Sequence, residues 1–140
     1  MTRRAALRAL VAGALALTAP VQAQDPRISA AVAAARDWLL MTDHGDAAES
    51  HKRAGARFRS AMNVQQWGAA LAKERTPRGA VAQRAVVQTV IQTTLPGLPE
   101  GQYALLQFRT AFAKQTDAGE SVTLEREADG QWRVIGYFIK

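Results

Sequence analysis

The chain has no cysteine among its 140 residues. That excludes disulfides, thiol catalysis, zinc–thiolate centres and a lipidated N-terminal cysteine; because an oxidising compartment permits disulfides without requiring them, it does not fix the location. There is no Gly-rich phosphate loop, no Ser-His-Asp arrangement and no paired-carboxylate signature. Nor is there an apolar run near the roughly 20 residues that a membrane-spanning helix needs. The longest candidate, residues 9–19, is too short.

That short run has a different meaning. Arg3, Arg4 and Arg8 accompany an apolar core of Leu7 and residues 9–19, Pro20 breaks it, and Val21-Gln22-Ala23 offers small or slim residues where a signal peptidase reads. The expectation is a cleavable leader over 1–23, cut after Ala23, and a single exported domain over 24–140, periplasmic or secreted, with no membrane span after cleavage. The paired arginines are similar to the twin-arginine signal, but Ala6 stands where an aromatic is usual, which favours general secretion.

Loss of the leader changes the charge. Eighteen basic residues against 12 acidic give +6; without Arg3, Arg4 and Arg8 the balance is 15 against 12, or +3. Lys52, Arg53, Arg57 and Arg59 look like a basic run, but at 100° per residue they scatter around a helix. A nucleic-acid footprint would be a stripe or patch, so a solvated face is expected and no nucleic-acid partner.

Three helical patterns come first. Ile28, Val32, Ala35 and Leu39 share a narrow sector, with Pro26 in the first turn and Asp43-His44-Gly45 as the stop. Asp46-Ala47-Ala48-Glu49 reads as a capping box opening a second helix, whose apolar face collects Ala47, His51, Ala54, Phe58 and Met62. Asn63 caps a third carrying Val64, Trp67 and Leu71, ended by Thr76-Pro77 and Gly79. After Gly79 the period becomes two. Strands are expected within 81–94, over 102–112, over 121–127 and over 131–139, with loops at 95–101 and 113–120. The order gives an α+β fold, three helices packed on a curved four-stranded antiparallel sheet.

Turn length sets the register of the last hairpin. A two-residue Asp129-Gly130 turn would place Arg126 beside Arg133. A three-residue loop with left-handed Gly130 puts Glu125 opposite Arg133, and Val122 and Leu124 on one face with Trp132, Val134 and Phe138. The second register gathers one core. It sends Ile135, Tyr137 and Ile139 outward, beside Tyr103 and Leu105 if Leu106, Phe108 and Phe112 point inward. Leu105, Ile135, Tyr137 and Ile139 are then a candidate homodimer face, the other explanation being a curled sheet that wraps its own side chains.

Four segments carry a family likeness: Ala34-Ala35-Arg36-Asp37-Trp38-Leu39, Arg75-Thr76-Pro77-Arg78-Gly79 after Trp67, the loop from Pro96 to Tyr103, and the ending from Asp129 to Tyr137. In these the chain resembles the small exported bacterial proteins called domain of unknown function 4019, over nearly all of the mature chain. It departs at His51, where the family more often has Trp after a Ser. The resemblance implies export and a cystatin-like or nuclear-transport-factor-2-like fold, a sheet curled into a cone around a helix. It implies no activity.

Candidate chemistry is sparse. His51, on an apolar helix face, could act as a base only with a carboxylate partner; a satisfied histidine at the core edge is the plainer reading. Asp43, His44, Asp46 and Glu49 cluster without the spacing of a metal site. No catalytic, metal or cofactor residue is assigned. Pro96, Gly97, Pro99, Gly101 and Tyr103 form a stiff loop that could be a binding rim, and Trp38 with His51 could line a cavity. The expected function is a non-catalytic module binding a small apolar ligand or an envelope protein. The alternative is an isomerase- or hydratase-like enzyme using His51 or a Tyr as acid/base.

Overall fold

The computed structural model describes residues 13–16 and 25–140. Most of the expected leader, and its cleavage position after Ala23, lie outside the described residues. Among those described, no helix is long and apolar enough to cross a membrane.

Helix α1 (Pro26–Asp43) starts where Asp25 accepts from the Arg27 amide and Pro26 enters the first turn. It buries Ala31, Ala35, Trp38, Leu39 and Thr42, one stripe at helical spacing. Helix α2 (Ala47–Arg53) is capped by Asp46, which accepts from Glu49 N at 3.0 Å. The box is only half made, because the Glu49 carboxylate turns to Arg53 instead. The reciprocal box forms at α4 (Val64–Arg75), between Asn63 and Gln66.

The expected second helix is two. It stops at Arg53 and resumes as α3 (Ala56–Ala61), with Ala54 and Gly55 extended between them. The cause is tertiary: Gly55 N–H donates to Val134 O at 2.7 Å, so its backbone docks on the last strand. A Cβ at Gly55 would lie 2.9 Å from Ile135 Cγ2 and 3.3 Å from Val134 O. Only glycine allows that approach.

Strands β1 (Val81–Gln92), β2 (Tyr103–Phe112), β3 (Gln115–Arg126) and β4 (Trp132–Ile139) form one antiparallel sheet in the order β1-β2-β3-β4, with the helices against it. This is the α+β arrangement expected, with four helices rather than three. The expected loop over 113–120 is mostly strand: Phe112 pairs with Gln115 around a turn at Ala113-Lys114, and Ala118 and Glu120 are buried on alternate positions.

The last hairpin turns as expected through a three-residue loop. Glu127 N–H donates to Gln131 O, Gly130 has φ 82°, and Glu125 faces Arg133. Trp132 and Val134 point inward and are buried. Beyond Val134 the expectation fails. Leu124 pairs with Val134 but Thr123 pairs with Gly136, leaving Ile135 as an extra residue. A bulge of one residue reverses the faces of everything after it. Tyr137 therefore stands opposite Val122 and Ile139 opposite Glu120, both toward the helices, while Phe138 is turned out and 53% exposed.

Leu105, Ile135, Tyr137 and Ile139 consequently do not share one face. The outer face of the sheet is mixed: one row reads Gln88, Gln107, Ser121, Phe138 and the next Val90, Leu105, Thr123, Gly136. Tyr103 points to that side yet is fully buried, because the 95–101 loop folds over it; its hydroxyl donates to Pro99 O at 2.6 Å.

Candidate functional site

Two features meet on the inner side of β4. The first is a buried polar network. Glu120 sits between Phe108 and Ile139 across the sheet and is fully buried. A carboxylate there must have its lone pairs filled, since burying a charge unpaired costs several kcal/mol. Arg84 Nε reaches Oε1 at 2.7 Å, the Thr110 hydroxyl donates to the same oxygen, and the Tyr137 hydroxyl donates to Oε2.

Arg84 then forks onto Asp43 with two contacts of 2.8 Å. Asp43 also takes Arg75 NH2 at 2.7 Å, and Arg75 NH1 donates to Thr42 Oγ1 at 3.1 Å. The Arg75 guanidinium lies 5.0 Å from the centre of the Phe112 ring. Its Nε is a buried atom without a hydrogen-bond partner among the described residues.

Two guanidinium groups balance two carboxylates, and the cluster ties the C-terminal turns of α1 and α4 to all four strands. Burial opposes ionisation of Asp43, but hydrogen bonds from Arg84 and Arg75 outweigh it and hold its carboxyl below the usual range. Burial likewise opposes charge on Arg84, and Asp43 and Glu120 more than reverse that. Burial, with the adjacent Glu120 charge, pushes the Tyr137 phenol well above its ordinary value. Held neutral and committed to Glu120, that phenol is a poor acid at neutral pH.

The second feature is an apolar pocket of about 330 Å³ between α3, α4 and the C-terminal half of β4. Phe58, Met62, Trp67, Leu71, Ile135 and Tyr137 form much of its wall, with Phe138 and Glu74 among the other lining residues. The β4 bulge makes this wall, since without it Phe138 and Tyr137 would exchange sides. Aromatic contacts stiffen it. Trp67 meets Phe58 edge to face at 5.0 Å, and Trp38 backs Tyr137 at 5.3 Å. Ser50 satisfies both indoles: Trp38 Nε1 donates to its carbonyl and Trp67 Nε1 to its hydroxyl, each at 2.8 Å.

The residues singled out in the sequence are dispersed around these features. Trp38 is buried behind the pocket wall. His51 Nε2–H donates to Met62 O at 2.7 Å and packs near Phe58, with no carboxylate among its partners. The loop holding Pro96, Gly97, Pro99 and Gly101 packs over Tyr103, and its Leu98 joins Ala61 of α3 and Ile135, which also line the apolar pocket, in a neighbouring open depression beside Arg57 and Glu125. Asp43 belongs to the ion network, Asp46 is a helix cap, and His44 Nδ1 meets Leu40 O at 2.6 Å. Among the described residues no group of three possible metal ligands comes together.

A protein-family model described as "Protein of unknown function (DUF4019)" matches residues 34–137. The chain belongs to this family. Comparisons with curated proteins and with solved structures give no match. The DUF4019 stretch runs from within α1 to Tyr137, so it takes in both members of the Glu120–Tyr137 pair and nearly all of the pocket wall.

Glu120, Thr110, Arg84 and Arg75 were missed in the sequence. The available signal was parity: Glu120 alternates with Ala118 and Val122, and becomes an inward position once β3 is started at Gln115.

Proposed function

We propose that this protein is an exported, non-catalytic binding module, made with a cleaved leader over 1–23, whose single domain over 24–140 holds a small apolar ligand between α3, α4 and β4. The observation carrying this reading is the pocket itself. Its volume of about 330 Å³ is at the lower end of small-molecule sites, and its wall is almost wholly aliphatic and aromatic. Of the ionisable side chains that line it, Tyr137 is engaged with Glu120 and Glu74 with Arg78. A wall of that kind offers burial and shape rather than proton transfer.

The apolar outer face from which a homodimer was argued is reduced to Phe138, Leu105 and Val90 among polar neighbours. Ligand binding is therefore better supported than sheet-to-sheet self-association.

The test is equilibrium binding of a neutral naphthylamine-type fluorescent probe to the protein, compared with Ala61→Trp. Ala61 is exposed on α3 and lines the pocket, so the larger side chain can enter the space without disturbing the core. Saturable binding at one site, lost in the variant, is expected. Equal binding by both proteins would reject the pocket as the site.

A further inference from the structure

We infer that the ligand of this pocket is a short peptide in extended conformation, bound as an added strand on the free edge of β4 with two apolar side chains directed into the cavity; this deepens the binding reading above and rests on it. The inference starts from how the cavity meets the strand. Residues 135–139 line it in unbroken succession. A cavity lying on one face of a sheet touches alternate residues, because successive side chains point to opposite faces. Here Gly136 has no side chain and the Phe138 ring is turned out, yet both line the space. The cavity therefore opens along the edge of the strand, where the backbone is bared.

β4 is the last strand of the sheet, so the backbone groups on that edge have no ladder partner. Which residues own them follows from the bonds toward β3. Lys140 and Gly119 exchange both of their backbone hydrogen bonds, and in an antiparallel pair such residues alternate with ones whose N–H and C=O point away. Phe138 and Gly136 thus bond to β3, while Tyr137 and Ile139 present their N–H and C=O outward. No helix or loop among the described residues supplies these groups with a backbone partner. They recur every second residue, about 7 Å apart along a strand, each position offering one donor and one acceptor. An extended peptide carries the same repeat in its own backbone.

The chain already uses this edge once. Ala54 and Gly55 are extended, and Gly55 donates to the outward carbonyl of Val134. The run left free, Tyr137 to Ile139, is short, and the bulge at Ile135 twists it away from a flat approach. It suits a peptide of a few residues rather than the edge of a second sheet. Antiparallel pairing is used throughout this sheet and is the more stable per residue. In that pairing the peptide residues opposite Tyr137 and Ile139 exchange both bonds with them. Their side chains turn to the same face, toward Phe58, Trp67 and Leu71, and the residue between them lies beside Phe138 and points outward.

The experiment uses acetyl-Thr-Leu-Thr-Leu-Thr-amide and two N-methylated forms of it, in competition with the naphthylamine probe. The parent peptide is expected to displace the probe. N-methylation of both leucines, which removes the N–H groups aimed at β4 and keeps the side chains, should weaken it at least about tenfold. N-methylation of the central threonine, whose N–H points away from β4, should change it by no more than about twofold. Sedimentation of the protein alone should give one chain. Probe binding that is lost in Ala61→Trp but not displaced by the peptide would overturn the peptide assignment and leave the pocket reading in place. So would a leucine modification without effect, or a threonine modification that weakens the peptide as much. A dimer of the protein alone, with no displacement by the peptide, would give the edge to a second copy and overturn the assignment as well. No saturable probe binding, or probe binding unchanged in Ala61→Trp, would overturn the pocket reading and this inference with it.

Discussion

The amide of Gly55 donates to the carbonyl of Val134 across 2.7 Å, and that bond joins the two irregularities that build the pocket. On one side the helix expected over residues 47–62 is broken; on the other β4 gains the extra residue Ile135. The break lets α3 lie against β4, and the bulge turns Tyr137 and Ile139 toward it. Neither irregularity has a local reason in its own segment. Each is accounted for by the other.

Gly55→Ala puts a methyl group 2.9 Å from Ile135 Cγ2. Gly55 has φ −67°, so the backbone accepts alanine and only the crowding matters. A loss of about 1–3 kcal/mol is expected from overpacking, read as a lower urea midpoint. In the Ile135→Ala background the offending Cγ2 is gone, and the same substitution should cost about 1 kcal/mol less. Equal costs in the two backgrounds would show that the close approach is not the constraint.

Asp43→Asn leaves Arg75 and Arg84 without their shared carboxylate. A loss of about 3 kcal/mol at neutral pH is expected, because both guanidinium groups are nearly buried. The pH dependence follows from the lowered carboxyl. Its contribution is complete above the ordinary Asp value of about 3.9 and is lost as pH falls through the lower folded value. Denaturation midpoints measured down the acid limb should therefore fall less steeply for the variant than for the wild type below about pH 4.

Tyr137→Phe removes the donor to Glu120 Oε2 and is expected to cost about 1–3 kcal/mol at pH 7. The raised phenol gives the opposite limb. Its contribution is complete below the ordinary tyrosine value of about 10 and disappears as pH climbs above it, because the unfolded chain ionises first. The two stability curves should converge in alkali. Curves that stay parallel above pH 10 would mean that the phenol is not held neutral inside the fold.

Much of the fold could be read in advance because its signals are local. Asn63 ahead of α4, Asp46 ahead of α2, Pro26 and the Gly130 turn act within a few residues of themselves, and all stand where expected. The Glu125–Arg133 pairing followed from that turn. The start of β3 was hidden because Gln115, Thr116 and Asp117 are polar and exposed or half-exposed, so nothing in their alternation distinguishes strand from loop. The site was the least legible part. Its aromatic wall depends on which side Tyr137 takes, and that was decided by a bulge whose partner, Gly55, is 80 residues away in the chain. Glu120 reads as a surface residue until three strands and two helices are assembled around it.

Native mass spectrometry of the protein purified from its own cells tests the central claim most directly. The account predicts one chain of residues 24–140 carrying one small molecule, with the adduct absent when Ala61→Trp is prepared in the same way. A bare chain in the wild-type preparation, or an adduct that persists in Ala61→Trp, would contradict it.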